Sequence, residues 1–129
     1  MTAPFIWVGT YAIKPGKLEL ARKRLAEVVD LVEANEPRLI AFNCYLDEAG
    51  TTASCVQVHP DATSMVFHME VIAEHLETAG EWLDNVVASE VYGTPPDGFV
   101  EGQKQWEVDP ATLRVLPVHE AGFTRTSAR

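Results

Sequence analysis

Histidine, asparagine and aromatic side chains are the groups of this 129-residue chain whose types suit chemistry on a small molecule. His68 is the candidate general base, because the reference pKa of histidine, about 6.5, suits proton transfer at neutral pH. Asn43 is the candidate donor to a developing anion, with Tyr11 as the alternative donor. Residues expected to line an apolar or aromatic binding site are Trp7, Tyr11, Tyr45 and Trp82.

Each candidate also has a purely structural interpretation. A histidine beside a buried helix stripe is often a satisfied core residue, and an asparagine on a strand is often solvated or bonded to a neighbour. His59 and His75 are weaker candidates for the same reason. Met65 and Met69 fit the hydrophobic core better than a ligand site.

Metal and nucleotide chemistry have no motif in the sequence. His68 and His75 lie seven residues apart, roughly 10 Å along a helix, which is too far for both to bind one ion easily. The chain has no Gly-rich phosphate loop and no GxSxG nucleophile motif. Its two cysteines, Cys44 and Cys55, form no CxxC pair. We therefore expect no cofactor and no metal.

The charge distribution excludes other partners. The formal net charge is −9, and no lysine or arginine lies between Arg38 and Lys104. A nucleic-acid-binding protein needs a basic face, so we expect no nucleic-acid partner. Phosphorylated ligands and anionic membranes are disfavoured for the same reason. The sequence contains no run of about 20 apolar residues and no recognisable signal peptide, which predicts a cytoplasmic protein with free thiols.

Alternating and helical hydrophobic patterns predict the elements that position these side chains. Residues 5–13 form a strand that carries bulky groups on both faces. A long amphipathic helix, a β-hairpin, a second helix and a fourth strand follow, at residues 17–34, 39–46 with 52–58, 62–76 and 86–93. A short helical turn at 81–85 carries Trp82. This order predicts an α+β fold of the ferredoxin-like type, β-α-β-β-α-β, with an antiparallel sheet and helices on one face.

Turn chemistry in the hairpin predicts its register. A turn centred on Ala49-Gly50 places Cys44 opposite Cys55, Asn43 opposite Val56, and Tyr45 opposite Ser54. Two small buried apolar residues are the simpler interpretation of the cysteine pair, although directly opposed thiols can oxidise.

The two-sided first strand predicts a homodimer. Two helices cover one face of the sheet, and an uncovered apolar face of that size favours a second copy packed against it. We divide the chain into a domain at 1–97 and a C-terminal extension at 98–129. The extension contains a short helix near 99–106, a fifth strand near 113–118 and a terminal anchor at Phe123. It packs on this domain or on the partner subunit.

The segment FIWVGTYAIKPGKLELARKRLAEVV, with the hairpin, shorter helix and closing strand after it, resembles the antibiotic-biosynthesis-monooxygenase type of domain. That type belongs to the dimeric α/β barrel superfamily, and the resemblance covers about residues 5–94. The segment VQVHPDATSMVFHMEV is more similar to uncharacterised members of this group.

This resemblance implies a pocket between sheet and helices, and for some members oxidation of phenols or quinols by oxygen without a cofactor. The leading interpretation is therefore a homodimer that binds a small apolar or aromatic molecule, with cofactor-independent monooxygenase activity as its specific form. A non-catalytic binding or structural protein is the alternative. Haem degradation is a weaker one, since the first strand lacks the Asn typical of haem-degrading members and no Lys or Arg accompanies the helix histidines.

Overall fold

A computed structural model describes residues 3–103 and 112–125 of the chain. Its strands are β1 Phe5–Ile13, β2 Ala41–Leu46, β3 Thr52–His59, β4 Leu83–Tyr92 and β5 Leu113–Leu116. Its helices are α1 Leu18–Asn35, α2 Ala62–Val71, α3 Ala73–Glu77 and α4 Phe99–Gln103, with a 3₁₀ turn at Ala79–Glu81. This order confirms the predicted ferredoxin-like α+β class. None of the described helices is long and apolar enough to cross a membrane.

The five strands form one sheet in the order β2-β3-β1-β4-β5. The four predicted strands pair antiparallel. β5 adds a parallel fifth strand, with Leu113 opposite Ser89 and Leu116 opposite Tyr92. The expected fifth strand therefore covers the β4 edge of its own chain.

Alternation along β1 separates the two faces of the sheet. Trp7 packs with Met65 and Phe99, and Ile13 packs with α1 residues, so this face is covered by helices. Ile6 and Val8 point to the opposite face and are only partly buried in the single chain. The structure thus confirms that β1 carries bulky side chains on both faces.

The hairpin has the predicted register, with Asn43 opposite Val56, Cys44 opposite Cys55, and Tyr45 opposite Ser54. Asp47 closes the turn, because its carboxylate accepts hydrogen bonds from the backbone N–H groups of Thr51 and Thr52, at 2.8 and 3.1 Å.

The second half of the chain differs from the prediction in three places. The helix predicted over 62–76 is interrupted at Ile72, which separates α2 from α3. The helical turn predicted at 81–85 is wrong. β4 begins at Leu83, and it pairs with β1 from Ile6 to Ile13 through register shifts after Thr10 and after Ala12. Phe123 is 79% exposed and does not anchor the described chain. The short helix predicted over 99–106 is described as far as Gln103, and residues 104–106 lie outside the described residues.

Met65 provides a test of the core. Its side chain is fully buried against Phe5, Trp7 and Phe99, so Met65→Ala should lower the unfolding free energy by about 2–5 kcal/mol. The matched control is Val66→Ala at a 46% exposed neighbour, where we expect a change below about 0.5 kcal/mol. Urea unfolding of both variants checks this. Equal losses would show that Met65 is not in the core.

Candidate active site

A cavity of about 490 Å³ lies between the helix-covered face of the sheet and the helices. Its walls are mostly apolar, with side chains from α1 on one side and from α2 and α3 on the other. The principal apolar residues are Leu25, Val28, Met65, Met69, Ile72 and Leu76. A volume of this size suits a small organic molecule.

His68 is one of the polar side chains that line this cavity. α2 places it against the end of α1, where its Nδ1 lies 2.8 Å from Oε2 and 3.1 Å from Oε1 of Glu36. Both side chains are 1% exposed. The other ring nitrogen, Nε2, is buried and has no hydrogen-bond partner among the described residues. Glu36 therefore orients the imidazole, and Nε2 is left as a buried nitrogen without a partner among the described residues.

Burial controls the protonation of this pair. It raises the pKa of Glu36 to about 7, and burial together with the nearby His59 lowers the pKa of His68 to about 3. Above pH 7 the ionised carboxylate accepts a hydrogen bond from the Nδ1–H group, and Nε2 has a free lone pair. When the pair gains one proton, two forms are possible. In one, His68 is an imidazolium with a proton on both ring nitrogens. In the other, Glu36 is a carboxylic acid that donates to Nδ1, and the single ring proton of His68 is on Nε2. Both protonated forms remove the base.

His59 is a second buried histidine beside this pair. Its ring lies 5.6 Å from the His68 ring. The neutral His59 ring donates from Nε2 to Gln57 and accepts at Nδ1 from the Ser64 hydroxyl, both at 2.8 Å. Burial lowers the pKa of His59 to about 4. The satisfied His59 therefore packs as a neutral neighbour of His68.

Tyr11 and Trp82 bring two hydrogen-bond donors to the cavity wall. Their rings meet edge to face with centroids 6.4 Å apart. The Tyr11 hydroxyl lies over Gly9, where any Cβ would overlap it. Trp82 Nε1 is buried without a partner among the described residues, and burial raises the pKa of Tyr11, which keeps its hydroxyl protonated. A ligand oxygen can therefore receive hydrogen bonds that no described protein group accepts.

Trp7 lines the same cavity, but its polar atom is already paired. Its indole N–H donates to the Ser89 hydroxyl at 2.8 Å, and Ser89 donates to Gln103 Oε1 at 3.1 Å. Phe99 packs its ring edge-on to Trp7, with centroids 5.1 Å apart. These contacts hold α4 over the cavity, so Trp7 presents an apolar surface.

Asn43 and Tyr45 do not lie in the cavity. Both are exposed on the sheet face opposite the helices, and Tyr45 is 61% exposed. The expected grouping of Asn43 with His68 is thus corrected by strand alternation, since neighbouring residues of β2 point to opposite faces.

Glu36, which follows the last residue of α1, is a site residue that no sequence pattern identified. An acid at a helix C-terminus opposes the helix dipole. That unfavourable placement is the signal that could have identified it. Metal binding has no matching cluster, because the described residues contain no group of three His, Cys, Asp or Glu side chains placed to hold an ion.

The pH dependence of stability tests the buried state of His59. In the unfolded chain His59 takes up a proton near pH 6.5, whereas in the folded chain it does so only near pH 4. Its contribution to the unfolding free energy is therefore fully present above pH 6.5 and is lost as the pH falls from 6.5 to about 4. His59→Gln should reduce the slope of unfolding free energy against pH in that window, by up to about 1.4 kcal/mol per pH unit. Denaturant unfolding at several pH values measures this slope. The exposed His119, replaced by Gln, is the control, and an unchanged slope in His59→Gln would contradict the burial of a neutral ring.

Comparison with known proteins identifies solved structures of the same fold that are distant in sequence. No protein-family model matches the chain, and no curated protein matches its sequence. The structure of MupZ from Pseudomonas fluorescens is 19% identical with a TM-score of 0.71, over 99% of both chains. That alignment therefore includes the C-terminal segment with α4 and β5.

Two further structures belong to proteins provisionally named antibiotic biosynthesis monooxygenases. The protein from Nitrosomonas europaea is 13% identical with a TM-score of 0.63, covering 73% of this chain and 92% of its own. The protein from Chloroflexus aurantiacus is 11% identical with a TM-score of 0.58, covering 74% of this chain and 95% of its own. The chain thus shares the ferredoxin-like α+β fold of these structures.

Proposed function

We propose that this protein binds a small apolar or aromatic molecule and removes a proton from it, with His68 as the base. The observation that carries this proposal is the buried Glu36–His68 contact, which leaves Nε2 unpartnered in an apolar cavity. A satisfied structural histidine would use both ring nitrogens, as His59 does. His59 has partners at both ring nitrogens and His68 at only one among the described residues, and this difference favours a ligand at His68.

The Glu36 carboxylate supports the proposed base in two ways. It holds the proton on Nδ1, which selects the tautomer with a free Nε2 lone pair. It also stabilises the imidazolium that forms when Nε2 takes a proton, because the opposite charge lies 2.8 Å away in a water-poor site. Burial lowers the pKa of His68 and so disfavours its protonation. The contact with Glu36 opposes this effect only while the carboxyl group is ionised.

Tyr11 and Trp82 supply the complementary donors in this proposal. Both residues line the cavity with their rings edge to face, and Trp82 Nε1 has no partner among the described residues, so each can donate to an oxygen of the bound molecule. Charge that develops on that oxygen after proton removal is then stabilised. This makes a phenol or quinol conjugated to a carbonyl a suitable substrate. The expected roles of Trp7, Tyr11 and Trp82 as residues that line the binding site remain part of the proposal.

The specific reaction we propose is cofactor-independent monooxygenation. A phenolate or quinolate is electron-rich enough to reduce oxygen itself. In the overall change a phenol and O₂ give a quinone and water, with one oxygen atom in the new carbonyl and the other in water. The substrate therefore supplies all the electrons. The names of the structurally similar proteins support this choice at low sequence identity.

Two other functions are alternatives to this reaction. A non-catalytic binding protein would use the same cavity without proton transfer, and the Trp7–Ser89–Gln103 chain could serve only to keep it closed. Haem degradation is disfavoured, since the described residues that line the cavity include no lysine or arginine to pair haem propionates.

We also propose that the protein is a homodimer, paired through the sheet face opposite the helices. Neighbouring strands present Ile6 and Val8 of β1 beside Val56 and Val58 of β3 on that face. These side chains are partly exposed in the single chain, and Tyr45 on the same face is 61% exposed. A second copy would bury them. The division at residue 97, the absence of nucleic-acid and membrane partners and the cytoplasmic location remain proposals.

Oxygen uptake tests the proposed reaction. A panel of phenols, naphthols and quinols should include one whose oxidation consumes oxygen, and His68→Gln should lower kcat/KM by about 10²–10⁴-fold because the base is lost. In the wild type, kcat/KM should rise with pH through about 7, as the pair loses its proton. The control is His119→Gln at the exposed histidine. Uptake that is equal in the wild type and His68→Gln would defeat this mechanism.

Light scattering coupled to size exclusion tests the dimer. The 14.2 kDa chain should elute at twice that mass at micromolar concentration, and Val8→Asp should shift it toward the monomer by placing a charge in the apolar contact. Phe67→Asp, at a 46% exposed site on α2, is the control and should remain dimeric. A monomeric wild type would refute pairing of any kind. Dissociation by Phe67→Asp alone would move the interface to the helix side.

A further inference from the structure

Cys44 and Cys55 form a pair of thiols that the proposed reaction does not use. They are direct partners on β2 and β3, and their sulfur atoms lie 3.2 Å apart. Both are free in the structure. We propose that this pair is a redox-active site, which a hydroperoxide converts reversibly into an intrachain disulfide.

The backbone already has the geometry that a disulfide requires. Directly opposed residues on antiparallel strands have Cα atoms roughly 4.5–5.5 Å apart, within the range of about 4.4–6.8 Å seen across disulfides. The sulfur atoms need to approach by roughly 1 Å to reach the bonded distance of about 2.05 Å. Rotation of the two side chains between adjacent strands can supply this movement without unfolding.

The pair is accessible from two sides. Cys55 is 8% exposed and belongs to the wall of the cavity. Cys44 is partly exposed and lines a separate, more open groove between α1 and β2, which also contains Arg22 and Asp30. A small oxidant therefore reaches Cys44 from the protein surface without entering the ligand cavity.

The two thiols differ in pKa and in exposure, and these differences indicate which of them reacts first. The hydrogen bond from the Cys55 thiol lowers the pKa of Cys44, whereas the same interaction and burial raise the pKa of Cys55. Cys44 is also the more exposed of the two residues and is therefore assigned as the attacking thiolate, because the thiolate is the nucleophilic form and must meet the oxidant. Cys55 is the resolving thiol beside it.

The chemistry balances with hydrogen peroxide as the oxidant. The Cys44 thiolate attacks one peroxide oxygen, the O–O bond breaks, and the products are a sulfenic acid and hydroxide. The Cys55 sulfur then attacks the Cys44 sulfur, the S–O bond breaks, and its oxygen leaves as water. Overall, two thiols and one H₂O₂ give one disulfide and two waters. A dithiol reductant reverses the change.

Tyr11 links this site to the cavity. Cys55 belongs to the core cluster that packs against Tyr11, and the Tyr11 hydroxyl is one of the two donors described above. Formation of the S–S bond therefore alters the wall beside that donor. The disulfide itself is independent of the proposed reaction, so either proposal can fail without the other.

Mass spectrometry of the whole protein tests the site. The protein is treated with a few equivalents of hydrogen peroxide at pH 7.5, free thiols are blocked under denaturing conditions, and the chain is cleaved after Glu48. Because this cut lies between the cysteines, their two peptides stay together only if a disulfide joins them. We expect joined peptides, loss of both free thiols, a monomer-length chain on non-reducing denaturing gels, and recovery of both thiols with dithiothreitol.

Two single variants test the order of attack. In Cys55→Ser the Cys44 sulfur should stop at sulfenic or sulfinic acid, whereas in Cys44→Ser the Cys55 thiol should react at least about tenfold more slowly with peroxide. If a variant fails to fold, the rise in Tm of the oxidised wild type and its reversal by dithiothreitol provide a second measurement. Separate peptides with unreacted thiols, higher oxides of both cysteines, or disulfides only between chains would overturn the proposal.

Discussion

Glu36 and His68 meet where α1 ends beneath α2, and the chemistry that we propose for the cavity depends on that contact. Both side chains are 1% exposed, and the acid lies at the end of α1 where the helix dipole disfavours it. Burying an ionisable pair in this way contributes little to stability compared with apolar side chains of similar size. A contact that is unfavourable for folding and leaves one imidazole nitrogen free is better explained by ligand binding than by packing.

The architecture supplies this contact with its surroundings. Covering one sheet face with α1, α2 and α3 creates the apolar walls, and α4 closes them through Phe99 and Gln103. The other face keeps partly exposed valines and isoleucine, which is the physical reason to expect a second copy. Tyr11 and the Cys44–Cys55 pair lie side by side on the covered face, so the same layer contains the donor and the thiol pair.

Local patterns were enough to predict much of the fold and part of the site. Alternation in β1 and the Ala49-Gly50 turn predicted the register that places Cys44 opposite Cys55, because strand pairing repeats every two residues. The same periodicity, applied to β2, would have placed Asn43 on the open face. The partnership of Glu36 with His68 joins residues 32 positions apart, so it depends on how α2 crosses the end of α1. No local pattern encodes that crossing, nor the register shifts that extend β4 to Leu83.

The tautomer of His68 is the most direct measure of the central claim. Nitrogen-15 NMR of histidine-labelled protein at pH 8, with His68→Gln used to assign the signal, distinguishes a protonated ring nitrogen from one with a lone pair. Our account predicts a proton on Nδ1, held by Glu36, and an unprotonated Nε2. A proton on Nε2 at that pH, or two protonated nitrogens, would contradict it, because His68 would then have no lone pair to accept a proton from a bound molecule.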